Sequence, residues 1–253
     1  MSFAPPPLTV IGLMGRVTNA KGDFVGVKHA GKDTVATMIR QALEPFYECH
    51  TLSFAQPLKQ MVCQMYGLGD PKDMEDCKEQ TIMIHHGTSW TYRRLLEVIG
   101  TNVVRQRLGM ESLWIEKLME KISQLKAHPL DMMLGTIHHD IRDFDRDRLF
   151  KDLKTACEAE EIPMPSQKPI VILVTDVRMP LEYHSLRRFR HNHMLQVHRI
   201  MPNVPSPTDF HSSNQSYVDM IPDQVIENVS SLDDLEHHVQ EFVQRVFSFP
   251  SCD

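Results

Sequence analysis

The sequence lacks an excess of positive charge. Its 253 residues carry 27 Lys and Arg against 33 Asp and Glu, which gives a formal net charge of −6. Proteins that bind nucleic acid or anionic membrane surfaces in general have a basic balance. We therefore expect no nucleic-acid partner and no membrane partner, and any contact with an anion must be local.

Long apolar runs and paired cysteine motifs are also missing. No apolar run approaches the ~20 residues of a membrane-spanning helix, and "MSFAPPPLTV" at the N-terminus lacks the basic and apolar regions of a signal peptide. The five cysteines are scattered without any C-x-x-C spacing, which is typical of reduced thiols. These absences favour a cytoplasmic protein, in the host cytoplasm if the chain is viral.

Apolar runs that predict strands alternate with segments of helical periodicity. The runs are "LTVIGLM", "HTLSFA", "PIVILVTD", "MLQVHRI" and "QVIENV". This alternation predicts an α/β fold, a doubly wound parallel sheet of about five strands with helices on both faces. The length fits a single domain over residues 1–253. Residues 67–90 are predicted to be irregular, and the charged segment 127–168 to be an insertion or a lid.

The segment "GVKHAGKDTVA" contains the spacing G-x-x-x-x-G-K at Gly26, Gly31 and Lys32. A glycine-rich turn at a helix N-terminus lets backbone N–H groups converge on phosphate oxygens, and the lysine reaches the β- and γ-phosphates. The alternative is an ordinary strand-to-helix turn. Asp33 follows the lysine and the hydroxyl comes one place later, at Thr34, so either residue, or neither, ligates Mg²⁺.

Two further segments carry residues suited to phosphate chemistry. "ILVTDVR" is an apolar strand ending in Asp176, a carboxylate that positions Mg²⁺ in phosphoryl transfer, with Arg178 in the same crevice. "WTYRRLLEVIGTNVVRQRLG" supplies Arg93, Arg94 and Arg105, whose guanidinium groups suit bidentate contacts to phosphate. The alternative is that all of these are surface residues.

The chain resembles the bacteriophage deoxynucleoside monophosphate kinases, including the type found in T-even phages. The resemblance begins at "GVKHAGKDTVA" and continues in order through "SFAQPLKQ", "WTYRRLLEVIGTNVVR", "LWIEKL", "VTDVRMPLE", "HSSN" and "VIENVSSLDDLEHHV". It spans most of residues 8 to 247. It implies a P-loop kinase fold that transfers the γ-phosphoryl group of ATP to the 5′-phosphate of a deoxynucleotide with Mg²⁺. The partners implied are small-molecule nucleotides, and the family suggests a homodimer.

The resemblance also implies roles for individual residues. On the ATP side it selects Gly26, Lys28, Gly31, Lys32, Asp33 and Thr34. On the substrate side it selects Lys59, Trp90, Arg93, Arg94, Arg105, His211 and Ser213. The expected catalytic residues are Lys32, Asp176, Arg178 and Arg94, and the expected metal ligands are Asp33, Thr34 and Asp176. Trp90 and Phe54 are candidates for stacking on the base, which the sequence does not identify.

The chain departs from the family pattern in three places. Residues 16–25 intervene before the glycine motif, so either the segment 12–15 or the segment 24–27 feeds it. The segment 127–168 is longer than expected, and Asn214, Val229 and Ser230 replace family residues. A second lid candidate is 201–220. The alternatives are a related kinase, acting on dephospho-coenzyme A or on modified bases, or an inactive nucleotide-binding module. Convergence of Lys32, Asp176 and an arginine discriminates between enzyme and module.

Overall fold

The computed structural model describes residues 8–27, 29–75, 77–126, 168–202 and 220–247. Predictions for Lys28, His211, Ser213, Asn214 and residues 127–167 lie outside the described residues. The strands are β1 Leu8–Thr18, β2 Phe24–Gly26, β3 Glu48–Leu52, β4 Thr81–His85, β5 Thr88–Thr91, β6 Ile170–Val174, β7 His191–Ile200 and β8 Gln224–Glu227. The helices are α1 Lys32–Leu43, α2 Gln56–Tyr66, α3 Tyr92–Glu97, a π-helix Val98–Arg107, α4 Leu113–Lys126, α5 Pro180–Arg187 and α6 Leu232–Val246.

Five parallel strands form the central sheet in the order β3-β6-β1-β7-β8. β2 joins this sheet as a short antiparallel strand on β1. The prediction of an α/β fold with a mostly parallel sheet is therefore confirmed. Each predicted strand is present within a few residues of its expected bounds, and this architecture is compatible with a P-loop fold.

Buried side chains on the two faces of the sheet form two separate cores. In β1, Val10 and Met14 belong to one core, and Ile11 and Leu13 to the other, as the two-residue period of a strand requires. The first core is covered by α2, α4 and α5, and the second by α1 and α6. The helices thus flank both faces, because every central strand buries apolar side chains in both directions. None of the described helices is both long enough and apolar enough to cross a membrane.

A hairpin formed by the end of β1 and by β2 precedes the glycine motif. β1 pairs with β6 only as far as Gly12, whereas it pairs with β7 as far as Thr18. β2 pairs with Val17 and Thr18. Because β7 already occupies one edge of β1 there, β2 must lie on the opposite edge, the one that β6 occupies only as far as Gly12. The inserted hairpin therefore returns the chain to the edge of β1 where β6 ends.

Two elements were not predicted. The segment 67–90, expected to be irregular, contains the β4–β5 hairpin, whose turn places His86 and Gly87 at φ 48° and 74°. The periodicity of residues 91–109 predicts an amphipathic helix or a helix pair broken near Gly100, and the structure instead changes from α-helix to π-helix at Val98. The amide of Leu108 bonds to the carbonyl of Val103 at 2.9 Å, the spacing of a π-helix, which is rare in lengths above one turn.

Gly15 and Gly12 in β1 provide a matched test of how the glycine motif packs on the sheet. A Cβ at Gly15 would collide with the backbone carbonyl of Val27, whereas one at Gly12 would meet the end of the flexible Met194 side chain. We predict that Gly15→Ala lowers the free energy of unfolding by about 1–3 kcal/mol, as overpacking does, and Gly12→Ala by less. Urea unfolding followed by circular dichroism measures both. Equal losses for the two variants would contradict this packing.

Candidate functional site

The glycine loop, residues 26–32, leads from β2 into α1. Gly31 is the N-cap of α1 with φ 97° and ψ 18°, and no side chain caps this end of the helix. The first N–H groups of any helix have no intrahelical partner, and they carry the positive end of the helix dipole. The start of α1 is therefore able to accept an anion.

Lys32 folds back over the loop that precedes it. Its Nζ donates to the carbonyl of Val27 at 3.2 Å and lies beside Gly15, within 3.0 Å of where a Cβ would be. Burial lowers the pKa of Lys32, as does the nearby charge of Arg178, while Asp33 and Asp176 act in the opposite direction. Lys32 therefore lies within electrostatic range of Asp176 and Arg178, although 143 residues separate Lys32 from Asp176 in the sequence.

Asp176 joins the end of β6 to the start of α2. Its two carboxylate oxygens accept hydrogen bonds from the amides of Phe54 and Ala55, at 2.8 and 3.0 Å. A carboxylate at a helix N-terminus is favourable because it satisfies orphan amides and complements the helix dipole. Each oxygen keeps a second lone pair, so Asp176 can still accept from water or contact a cation.

Arg178 has donor capacity that the described part of the chain does not use. Its Nε is buried and makes no hydrogen bond to any described group. Buried donors are normally satisfied, so an unsatisfied one requires an explanation such as a ligand or water. Because its charge acts on Lys32, this guanidinium lies where it can share an anion with that lysine.

Glu182 is a buried carboxylate that sequence reasoning did not select as a site residue. It is 4% exposed, accepts from the amides of Arg178 and Met179 at 2.9 and 3.1 Å, and pairs with Arg105 at 2.7 Å. Burial raises its pKa, with a further contribution from Asp176, and Arg105 opposes both. The signal for Glu182 in the sequence is that an acidic residue follows D-x-R in "VTDVRMPLE".

Two cations predicted for the substrate side are held by carboxylates of the segment before β4. Lys59 pairs with Glu75 at 2.5 Å, and Lys78 pairs with the same carboxylate. Burial alone would raise the pKa of Glu75, but hydrogen bonds from Lys59 and Lys78 keep it below its usual value. Arg93 pairs with the exposed Glu79.

Arg94 and Trp90 form a separate contact on the β4–β5 hairpin. The guanidinium carbon of Arg94 lies 4.7 Å from the centre of the Trp90 ring, and Nη1 donates to the carbonyl of Ser89 at 3.2 Å. The structure thus places Arg94 on Trp90, and none of the contacts described for it joins it to Lys32. Phe54, the other stacking candidate, is 2% exposed and lies in the core.

The expected metal ligands Asp33 and Thr34 are exposed in the first turn of α1. The described ranges contain no cluster of three or more His, Cys, Asp or Glu side chains that could hold a metal ion. Asp33 and Thr34 could hold a Mg²⁺ ion only if the phosphates of a bound nucleotide and water molecules supplied the other oxygen donors. Mg²⁺ is usually bound in this way, by one or two carboxylates together with phosphates and waters.

Comparison with models of known protein families finds no match, and no curated protein matches the chain.

Lys32→Met tests the burial of this charge without any ligand. The lowered pKa means that the unfolded chain binds the proton more tightly than the folded chain, so the charge destabilises the fold at pH 7. We predict that Lys32→Met raises the free energy of unfolding at pH 7. The difference should shrink as the pH rises through the lowered pKa towards 10.5, because the wild-type lysine then loses its charge.

The matched control is Lys121→Met, since Lys121 is exposed on α4. Denaturant unfolding at pH 7 and at successively higher pH measures both variants. A Lys32→Met protein that is less stable than the wild type at pH 7 would show that the bond to Val27 outweighs the cost of burial.

Proposed function

We propose that this chain is a P-loop kinase that transfers the γ-phosphoryl group of ATP to a deoxynucleoside monophosphate, giving a deoxynucleoside diphosphate and ADP. One observation carries the proposal. The charges of Arg178 and Asp176 both act on Lys32, the first residue of α1, at the uncapped N-terminus of that helix, as expected for an enzyme of this type. The inserted hairpin does not displace Lys32 from this group.

A polyphosphate chain matches the donors that meet at the glycine loop. The ammonium of Lys32, the guanidinium of Arg178 and the first-turn amides of α1 are all donors, and phosphate oxygens accept only. A bound phosphate would give the buried Nε of Arg178 a partner and would raise the pKa of Lys32 towards its ordinary value. Such a site favours the triphosphate of ATP over a neutral ligand.

Mg²⁺ would be held mainly by the phosphates, with Asp33 or Thr34 in the first turn of α1 and Asp176 through water. Both oxygens of Asp176 already accept backbone amides, which favours contact through water over direct ligation. The ion neutralises charge on the transferred group. The chain's own contribution is to hold the phosphates in place and to supply positive charge from Lys32 and Arg178.

The acceptor phosphate would bind among Lys59, Arg93 and Arg105, and the base would pack near Trp90 and Arg94. Trp90 is partly buried and offers an aromatic face, which every base can stack on. Two lid segments, 127–168 and 201–220 with His211 and Ser213, complete this proposal and remain predictions from the sequence. The homodimer remains a prediction from the resemblance, and the cytoplasmic location a prediction from the composition.

An inactive nucleotide-binding module is the second candidate. It is favoured by the pairing of Lys59, Arg93 and Arg105 with carboxylates of the same chain, because paired cations attract an acceptor phosphate less strongly. A kinase for dephospho-coenzyme A or for modified bases would share the ATP side and differ in its acceptor.

A coupled assay of ADP release tests the kinase directly. The wild type is given ATP, Mg²⁺ and each deoxynucleoside monophosphate in turn, including modified pyrimidines, with a blank that lacks acceptor. We predict turnover with one or a few acceptors. Lys32→Ala should abolish it while the far-ultraviolet dichroism stays unchanged, and Lys121→Ala should keep it. Binding of ATP without turnover on any acceptor would favour the module, and near-normal turnover by Lys32→Ala would reject the loop assignment.

Asp176→Asn tests the proposed contribution to Mg²⁺ binding. The amide retains one oxygen acceptor but loses the charge, so we predict that half-maximal activity requires about 10- to 100-fold more Mg²⁺, the range seen for residues that act on a metal through water or another ligand. Asp223→Asn is the matched control, because Asp223 also accepts a backbone amide, that of Met194, but pairs with Arg187. An unchanged Mg²⁺ dependence in Asp176→Asn would exclude this role.

A further inference from the structure

We propose that Asn228 and Arg199 are positioning residues that hold the glycine loop in the conformation that binds polyphosphate. This inference rests on the proposed function and adds two residues to it. Arg199 lies on β7, and Asn228 directly follows β8. Neither belongs to the loop, and neither was selected from the sequence as a site residue. Both act on the loop through its carbonyl groups.

The two side chains bind consecutive carbonyls of the loop. Nη1 of Arg199 donates to the carbonyl of His29 at 3.1 Å, and Nδ2 of Asn228 donates to the carbonyl of Ala30 at 2.8 Å. A trans peptide directs its C=O and the following N–H to opposite sides. The two bonds therefore turn the N–H groups of Ala30 and Gly31 away from Arg199 and Asn228.

The backbone conformation of the loop needs such support. His29 has a φ of 62° and Gly31 a φ of 97°, whereas Ala30 between them does not have a positive φ. A left-handed conformation costs a residue with a side chain about 1–2 kcal/mol, so His29 requires contacts that hold it. Successive amides in alternating right- and left-handed conformations form a concave site for an anion.

Asn228 also fixes the space around Gly31. Its Nδ2 lies so close to where a Cβ of residue 31 would be that the two would collide. The glycine therefore makes room for the brace, by which we mean the side chains of Asn228 and Arg199, as well as for the turn. The loop, its last glycine and the residue after β8 therefore form one packed unit.

The brace is anchored to three strands of the sheet. The amide of Asn228 donates to the carbonyl of His198 at 2.7 Å. The His198 ring contacts Glu227 through Nδ1 at 2.8 Å and Thr18 through Nε2 at 2.9 Å. These contacts connect the ends of β8, β7 and β1. Asn228 is therefore fixed relative to the sheet, and its hydrogen bond to Ala30 fixes the loop relative to the sheet as well.

The test measures the binding of two probes, Mg²⁺–ATP and inorganic tripolyphosphate, by isothermal titration calorimetry. Tripolyphosphate has no base, so it reports on the loop alone. Asn228→Ala and Arg199→Gln should each weaken both probes by the same factor, about 10-fold, the equivalent of one lost hydrogen bond near a charged ligand. Arg199→Lys retains a donor and should restore most of the affinity.

Matched controls separate the brace from general effects on charge and folding. Gln124→Ala removes an exposed amide on α4, and Arg190→Gln removes an exposed guanidinium before β7; both should bind the probes like the wild type. Urea unfolding should show that the bracing variants and their controls are all fully folded under the conditions of the titration, even where the loss of a hydrogen bond lowers the midpoint of the bracing variants. Should Asn228→Ala fail to fold, Arg199→Gln tests the proposal independently.

The outcomes distinguish this inference from the proposed function. If the wild type binds both probes and the bracing variants bind them equally well, the inference is wrong and the proposed function stands. If the variants lose ATP but keep tripolyphosphate, the residues contact the base instead, which also overturns the inference. A wild type that binds neither probe would overturn the proposed function and the inference together.

Discussion

The absence of a side chain at Gly15 is the constraint on which the candidate site depends. The carbonyl of Val27 and the Nζ of Lys32 lie directly over this residue, at the point where β1 has passed the end of β6. Any side chain there would lift the glycine loop off the sheet and move Lys32 away from Asp176 and Arg178. The inserted hairpin is compatible with the site because it brings the chain back to this bare stretch of β1 before the loop begins.

The candidate site contains both positively and negatively charged side chains, and each influences the next. Lys32 and Arg178 repel each other, and Asp176 offsets part of that repulsion. Burial and, to a smaller extent, Asp176 raise the pKa of Glu182, and Arg105 opposes them by stabilising the charged form. No ion pair joins Lys32 or Arg178 to a carboxylate in the described part of the chain, whereas Arg105 is paired with Glu182. A buried charge without a partner is costly. An anionic ligand at the loop would relieve a cost that the fold otherwise carries.

The sequence predicts the strands of the central sheet and the positions of Lys32 and Asp176 at its edge, but it does not predict the second hairpin or the partners of most of the other charged residues. β1 and β6 are continuous apolar runs, and the carboxyl ends of neighbouring parallel strands meet at one edge, so Lys32 and Asp176 could be placed together in advance. The β4–β5 hairpin could not, because none of its strand residues is fully buried and its turn uses His86 in place of the usual Asn or Asp. The partners of Lys59, Arg105 and Asn228 depend on tertiary contacts that no local pattern encodes.

The three cations of the proposed acceptor side, Lys59, Arg93 and Arg105, differ in how deeply their carboxylate partners are buried. The side chain of Glu182 is 5% exposed, whereas those of Glu75 and Glu79 are 37% and 70% exposed. If Arg105 left Glu182, it would leave a buried charge without a partner, which is strongly unfavourable. Glu75 and Glu79 can instead be solvated when their partners turn away, and surface pairs of this kind contribute little. In the proposed kinase, Lys59 and Arg93 could therefore exchange a carboxylate for the acceptor phosphate more readily than Arg105, whose partner Glu182 also accepts the amides of Arg178 and Met179.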